Sequence, residues 1–323
     1  MFDTDKIFKI SNNKEFETVA IKVFNYQYKQ NRVYRSFCDL LNISPTEVHK
    51  SEEIPFLPIK FFKSHKVLSD PNKIKKIFKS SGTTDNILSS HYVTNLNLYE
   101  RSFYKTFCNF YGDIKDYTIL ALLPSYFENK NSSLIYMIDR LIEKTNNPNS
   151  GFYLNNLNDL KNKLNKLKNE KVILFGVTYA LLDIIEKYDF KLPNTIIIET
   201  GGMKGRRKEI IRDDLHNRLN LGFGTNLIHS EYGMTELLSQ AYSIKKGIFK
   251  TPPWMRVLIR DINDASCIQN LNITGGVNII DLANINSCSF IATEDIGKKK
   301  DDKNFEILGR FDNSQIRGCN LLV

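Results

Sequence analysis

The chain has 323 residues, 41% hydrophobic and 25% charged, the composition of a globular protein long enough to bury one large core or two modest ones. Nothing approaches the run of about 18 apolar residues that a spanning helix needs. The opening residues Met1, Phe2, Asp3, Thr4, Asp5 and Lys6 also lack a signal-peptide core, so no membrane span and a cytoplasmic location are the expectation. The net charge of +9 is distributed as short basic clusters at 73–79, 204–208 and 298–303 with Phe78 the single aromatic among them, which favours a solvated surface and speaks against a nucleic-acid partner.

Taken in order, Phe16, Val19, Ala20, Val23 and Phe24 recur at helical spacing. Val33, Phe37, Leu40 and Leu41 continue the period until Asn42, Ile43, Ser44 and Pro45 end it. Pro55 and Pro58 make 54–59 an extended connector into 60–63. Alternating apolar and basic residues at 74–79 predict a short strand, and Leu96, Tyr99, Phe103 and Phe107 another helix. From there strand-length apolar runs at 117–123, 172–175, 195–198 and 226–229 alternate with helical spacings at 133–142, 154–167, 179–188 and 208–219. That alternation predicts an α/β core around a mainly parallel sheet flanked by helices. Beyond Pro252 and Pro253, shorter segments at 255–260, 277–281, 290–293 and 305–308 predict a smaller β-rich part.

Four stretches carry chemistry. Ser80, Ser81, Gly82, Thr83 and Thr84 form a small, hydroxylated loop that reads either as a polar turn or as a cradle whose N–H and hydroxyl donors grip phosphate oxygens. Gly201 and Gly202 follow the Ile-rich strand, and Glu231, Tyr232, Gly233, Met234, Thr235 and Glu236 follow the next. Thr293, Glu294, Asp295 and Gly297 precede Gly309, Arg310 and Asp312. Loops beyond the carboxyl ends of strands in an open α/β sheet share one crevice, so these stretches are expected to meet. Five scattered cysteines, Cys38, Cys108, Cys267, Cys288 and Cys319, with no C-x-x-C pair, point to a reducing compartment and to no cysteine metal site.

In combination and order, the Ser/Gly/Thr loop, Gly-Gly, Tyr-Gly-x-Thr-Glu, Thr-x-Asp-x-Gly and Gly-Arg-x-Asp resemble the adenylate-forming superfamily of acyl ligases. Within it, the chain most resembles the acyl-protein synthetase family, with phenylacetate–CoA ligases as neighbouring relatives. Residues 54–63 and 121–126, together with Arg317, Gly318 and Cys319, extend the resemblance over about 15–323. It implies an adenylating domain at 1–309, helical over 1–70, with a hinge-like remnant at 310–323 and the mobile C-terminal domain of the full-length ligases almost absent. It implies ATP and Mg²⁺ as cofactors, and a carboxylic acid, in the family expectation a long-chain fatty acid, as substrate. The product would be an acyl-adenylate, whose acyl group passes to a thiol. Acceptor partners are then an acyl-acceptor protein or CoA, with a reductase or transferase subunit beyond.

The residue roles implied are these. Ser80, Ser81, Gly82, Thr83 and Thr84 would hold the β- and γ-phosphates, Gly201 and Gly202 would lie along adenine, and Tyr232, Gly233, Met234 and Thr235 would line adenine and the α-phosphate. Glu236 would coordinate Mg²⁺, Asp295 would accept from the ribose hydroxyls, and Arg310 would contact nucleotide beside the hinge. Cys319 stands at the place of the acylated cysteine. The lysine of the missing domain would be replaced by Lys204 or Arg206. Where the superfamily loop closes on glycine, this chain has Asp85. A phenylacetate-type CoA ligase and a catalytically silent nucleotide-binding assembly subunit are the alternatives.

Overall fold

Asparagine, abundant in the chain, caps four of the helices. The side chain of Asn12 accepts from Glu15 N–H at 3.0 Å to begin α1 (Asn13–Gln30), and Asn31 accepts from Tyr34 N–H at 3.0 Å to begin α2 (Arg32–Leu40). After the single turn α3 (Phe61–Ser64), Asn95 caps α4 (Leu96–Tyr111), Ser132 caps α5 (Ser133–Thr145) and Asn156 caps α6 (Leu157–Lys166) in the same manner. α7 (Thr178–Lys187) follows its preceding strand without a side-chain cap, and α8 (Arg212–Phe223) ends on Gly224 in the left-handed region at φ 63°. These elements belong to a computed structural model that describes residues 2–70, 72–81, 87–124, 129–202 and 210–311. None of the helices among the described residues is long and apolar enough to cross a membrane.

The strands are β1 (Leu57–Pro58), β2 (Lys76–Lys79), β3 (Ser90–Val93), β4 (Thr118–Leu122), β5 (Gly151–Phe152), β6 (Val172–Val177), β7 (Thr195–Thr200) and β8 (Ile228–Tyr232). They continue as β9 (Ala241–Ser243), β10 (Ile248–Lys250), β11 (Met255–Arg260), β12 (Thr274–Asp281), β13 (Phe290–Lys299) and β14 (Asn304–Arg310). Twelve of them form one sheet in the order β11-β12-β13-β14-β10-β9-β8-β7-β6-β4-β5, with β1 added on β13, while β2 and β3 pair separately. From β5 to β8 the pairing is parallel, and β4, β6 and β8 are buried at every residue, as strands covered on both faces by helices must be.

Two boundaries differ from the sequence pattern in ways that matter. The strand expected at 226–229 lies at Ile228–Tyr232, so Glu231 and Tyr232 are strand residues paired with Tyr242 and Ala241 of β9. The β-rich C-terminal part joins the same sheet through antiparallel pairings rather than standing apart, making the sheet mixed. The proline-rich connector contains β1, which pairs in parallel with β13, and Ile59 N–H supplies the bond to Ala292 that Pro58 cannot. The core runs unbroken from α1 and α4 across the sheet to α7 and α8.

Candidate functional site

The hydroxylated loop is pinched at its base. Phe78 pairs with His91 and Lys79 with Ser90 across β2 and β3, then Ser80 N–H donates to the Ser89 carbonyl at 3.1 Å and Ser89 N–H to Ser80 Oγ at 3.0 Å. Ser80 and Ser81 are therefore placed. Gly82, Thr83, Thr84 and Asp85 lie outside the described residues, as do Lys204, Arg206, Arg317 and Cys319.

Ser89 also connects this loop to the second motif, because its hydroxyl bonds to the carboxylate of Glu236. Glu236 is 5% exposed, and burial pushes its carboxyl up, with Asp295 adding to the push and Arg310 opposing it. The segment leading to it is held from beneath. His91 Nδ1 lies 2.7 Å from the Thr235 carbonyl and Asn284 Nδ2 donates to the Glu236 carbonyl at 2.7 Å, while His91 Nε2 lies 3.0 Å from Asn284 Oδ1. Burial pushes His91 down to about 4, against the two oxygens facing its ring, and with both nitrogens engaged inside the protein it is a strut.

Beyond Glu236 the chain is held by Asp281. Its carboxylate accepts from Leu238 N–H at 2.8 Å, Ser239 N–H at 2.9 Å, Ser239 Oγ at 2.6 Å and Ala283 N–H at 3.2 Å. The Trp254 indole donates to Ser239 Oγ at 3.0 Å and to Ser102 Oγ at 3.1 Å, locking the same turn to α4. Because an amide supplies one acceptor oxygen and turns two donors toward these groups, Asp281→Asn is expected to lower stability by about 2 kcal/mol in urea unfolding. An unchanged midpoint would mean that Asp281 does not fix the turn.

On the far side, Tyr232 OH donates to Asp295 Oδ2 at 2.7 Å, and Arg310 Nε lies 3.3 Å from Asp295 Oδ1. Asp295 is not in a turn: it sits within β13, directly opposite Arg310 of β14. Burial raises its carboxyl, and the Tyr232 bond and the Arg310 and Arg260 charges work against that rise. Arg260, which the sequence pattern does not single out, crosses from β11 to donate to Thr293 O at 2.7 Å and to Asn278 Oδ1 at 2.8 Å, fixing the strand that carries Asp295. Arg310 itself is 70% exposed in its side chain and also lies 3.4 Å from Glu294.

The third wall is the turn after β7. Gly201 and Gly202 adopt φ of 72° and 58°, the left-handed region that favours glycine, and a Cβ built on Gly202 meets nothing within 4 Å. Both are exposed, as is Gly233 across from them. Just below, Thr200 donates to Glu231 Oε2, and Glu231 is pushed up to about 7 by burial and by Glu199 nearby. Glu199 faces the other side of the sheet. Burial works against its charge, but hydrogen bonds from His216 and Ser230 hold its carboxyl below the usual range. The sequence assigned no role to Glu231, although it stands in a chemistry-bearing stretch, or to Ser89, since nothing in spacing distinguishes them from ordinary strand and turn residues.

Thus Tyr232, Asp295 and Arg310 are joined directly, and Glu236 lies within electrostatic reach of Asp295 and Arg310. Two buried carboxylates, Glu236 and Asp295, share one exposed guanidinium there. A nucleotide with a hard cation fits this donor set: open glycine backbone on one wall, a carboxylate with a single hydroxyl donor for a cation, and a second carboxylate for vicinal hydroxyls. Among the described residues no three His, Cys, Asp or Glu side chains converge to hold a metal unaided.

The family described as acyl-protein synthetase, LuxE, matches residues 2–323. No curated protein matches the chain. Among solved structures, the fold resembles an open conformation of 2-hydroxyisobutyryl-CoA ligase in complex with 2-HIB-AMP and CoA, with TM-score 0.70 and 12% identity over 93% of this chain and 70% of that one. It resembles ATP-bound MatB from Rhodopseudomonas palustris with TM-score 0.56 and 15% identity over 75% and 49% of the two chains. A luciferase-like enzyme from the nonluminescent mealworm Zophobas morio gives 0.52 and 16% identity over 76% and 59%. At these identities the likeness is one of fold, and the chain spans about half the length of the MatB structure.

Proposed function

This chain belongs to the acyl-protein synthetase family, LuxE, an adenylate-forming ligase family that activates an acyl group with ATP and transfers it, and from that premise we propose how its residues divide the work. The substrate carboxylate attacks the α-phosphorus of ATP. The new bond joins the carboxylate oxygen to phosphorus, the bond to the bridging oxygen breaks, and pyrophosphate leaves with its electron pair. The observation that carries this reading is the convergence of Glu236 and Asp295, two buried carboxylates, with Tyr232 and Arg310 in one glycine-walled cleft.

Ser80 and Ser81, with Gly82, Thr83 and Thr84 after them, hold the β- and γ-phosphates. The open backbone of Gly201 and Gly202 lies along adenine, flanked by Tyr232, Gly233, Met234 and Thr235. Asp295, already oriented by Tyr232, accepts from the ribose hydroxyls, and Arg310 swings between Asp295 and the phosphate side, its exposure leaving it free to do so. Glu236 would hold Mg²⁺, and the ion would supply neutralisation of phosphate charge when bound. Lys204 supplies the further cation. Alignment and charge neutralisation account for most of the acceleration, so the protein needs no covalent step in this half-reaction.

The acyl group then passes to a thiol, for which we propose Cys319. Cys38 and Cys288 are buried, and burial pushes Cys38 up to about 12 and Cys288 higher still, which removes the thiolate that transfer needs. Cys267 is exposed and serves as the control. ATP–pyrophosphate exchange over a panel of carboxylic acids tests the first half-reaction, and exchange with none of them ends this reading. For the second, a hydroxylamine-sensitive acyl-protein is expected with wild type and Cys267→Ser and is expected to vanish with Cys319→Ser. AMP release that depends on CoA, without acyl-protein, would assign the chain to the CoA-ligase alternative instead.

A further inference from the structure

The cleft has a floor that nucleotide binding does not use. Glu231 points there: its Oε2 accepts from Thr200, and its Oε1 would lie 2.4 Å from a Cβ built on Gly233. Gly233, Gly201 and Gly202 are exposed, and the buried Glu231 carboxyl lies directly beneath Gly233, where any side chain would meet it. Glu231 pairs with Tyr242 across β8 and β9, and the Cγ of Gln240 lies 3.3 Å from the same Gly233 position, which puts all three side chains on one face. Tyr242 OH and Gln240 Oε1 are both buried without a hydrogen-bond partner among the described residues. Tyr99 and Tyr111 of α4 complete the surroundings, each raised in part by the Glu231 charge.

A donor and an acceptor stranded in an interior are rare, and each calls for an explanation. A plain alkyl chain entering over this floor would leave both unmatched and would seal the Glu231 carboxyl beneath hydrocarbon. A hydroxyl group suits either, since it can accept from Tyr242 O–H or donate to Gln240 Oε1 or to Glu231. An ammonium group offers donors alone.

We propose, building on the adenylating role assigned above, that the acid this chain activates carries a hydroxyl group, and that Glu231 with Gln240 and Tyr242 behind it is the specificity-determining set that recognises it. The substrate class is thus a hydroxy acid rather than an unsubstituted fatty acid. Burial, pushing Glu231 up to about 7, agrees with this, because a carboxyl near its midpoint both accepts from and donates to a hydroxyl.

The test uses the full chain in ATP–pyrophosphate exchange with acids matched in carbon number and differing by one hydroxyl: butyrate against 2- and 3-hydroxybutyrate, and decanoate against 3-hydroxydecanoate. The expected result is a kcat/KM higher by about 100-fold for at least one hydroxylated member, the discrimination open to a site whose buried polar groups are otherwise left unpaired. Glu231→Ala is expected to collapse the ratio to about threefold by losing the hydroxy acid, and Glu231→Gln, which keeps the shape, to retain part of it. Exchange with the plain acids at least as fast as with every hydroxylated one would overturn the inference while leaving adenylation standing. Exchange with no acid would overturn both.

Discussion

Asp295→Ala is expected to raise the KM for ATP in pyrophosphate exchange by about 100-fold or more, with little change in the KM for the acid. Two losses add. The vicinal ribose hydroxyls lose a charged acceptor, and such bonds are worth about 1.5–3 kcal/mol each, where about 1.4 kcal/mol is a factor of ten. Tyr232, whose buried hydroxyl donates to Asp295 at 2.7 Å, is left without its acceptor, and Arg310 loses the carboxylate 3.3 Å away that sets its side of the cleft. Asp295→Asn separates these effects, because the amide oxygen still serves Tyr232 while the charge is gone; an intermediate KM is expected. A KM for ATP within about threefold of wild type in Asp295→Ala would remove Asp295 from the nucleotide site and with it the reading of the β13–β14 edge as ribose-binding.

That edge also marks where the sequence was informative and where it was not. The apolar runs that became β4, β6 and β7 were legible because strands buried on both faces leave little room for anything but Val, Ile and Leu, and periodicity alone separates them from the helices between. Tyr232, Glu236, Asp295 and Arg310 were legible as an ordered set of short motifs, and the structure joins Tyr232 and Arg310 to Asp295 and sets Glu236 within reach of their charges. What holds them there was not. His91 supports Thr235 from 144 positions away in sequence, and Arg260 reaches Thr293 across 33. Asp281 serves the turn at 238–239 from the end of β12. Such contacts depend on sheet order, and the joining of the β-rich part to β8 through β9 and β10 was not encoded in any local pattern. Glu231 received no role for a related reason. In the sequence it precedes a motif, and only the strand register turns it inward to Thr200 and Tyr242 while Tyr232 faces Asp295.

Glu231→Gln is expected to make the protein more stable at neutral pH, an unusual outcome for a change at a buried polar residue. In the folded chain Glu231 faces Thr200 on β7, Tyr99 and Tyr111 on α4 and Tyr242 on β9, all neutral groups, while the Glu199 charge acts on it from the other face of the sheet. Burial, with the Glu199 charge, raises it from 4.5 to about 7, and the Thr200 bond opposes the rise. Between those two values the folded state holds a proton that the unfolded state has lost, so stability falls as pH climbs through this window. Glutamine does not titrate, and its carbonyl still accepts from Thr200. The stability gap between variant and wild type should therefore be near zero at pH 4.5 and grow to about 3 kcal/mol above pH 7, since each pH unit between the two values is worth about 1.36 kcal/mol. His91 and His229, both pushed down to about 4 by burial, impose the opposite trend, losing stability as pH falls below 6.5. They are common to both proteins and cancel in the difference. Urea midpoints for the pair at about pH 5, 6, 7 and 8 give the comparison directly, and a gap that stays flat across them would show that Glu231 ionises as an ordinary carboxylate. A gap that widens identifies a carboxyl kept protonated in the folded chain by its burial.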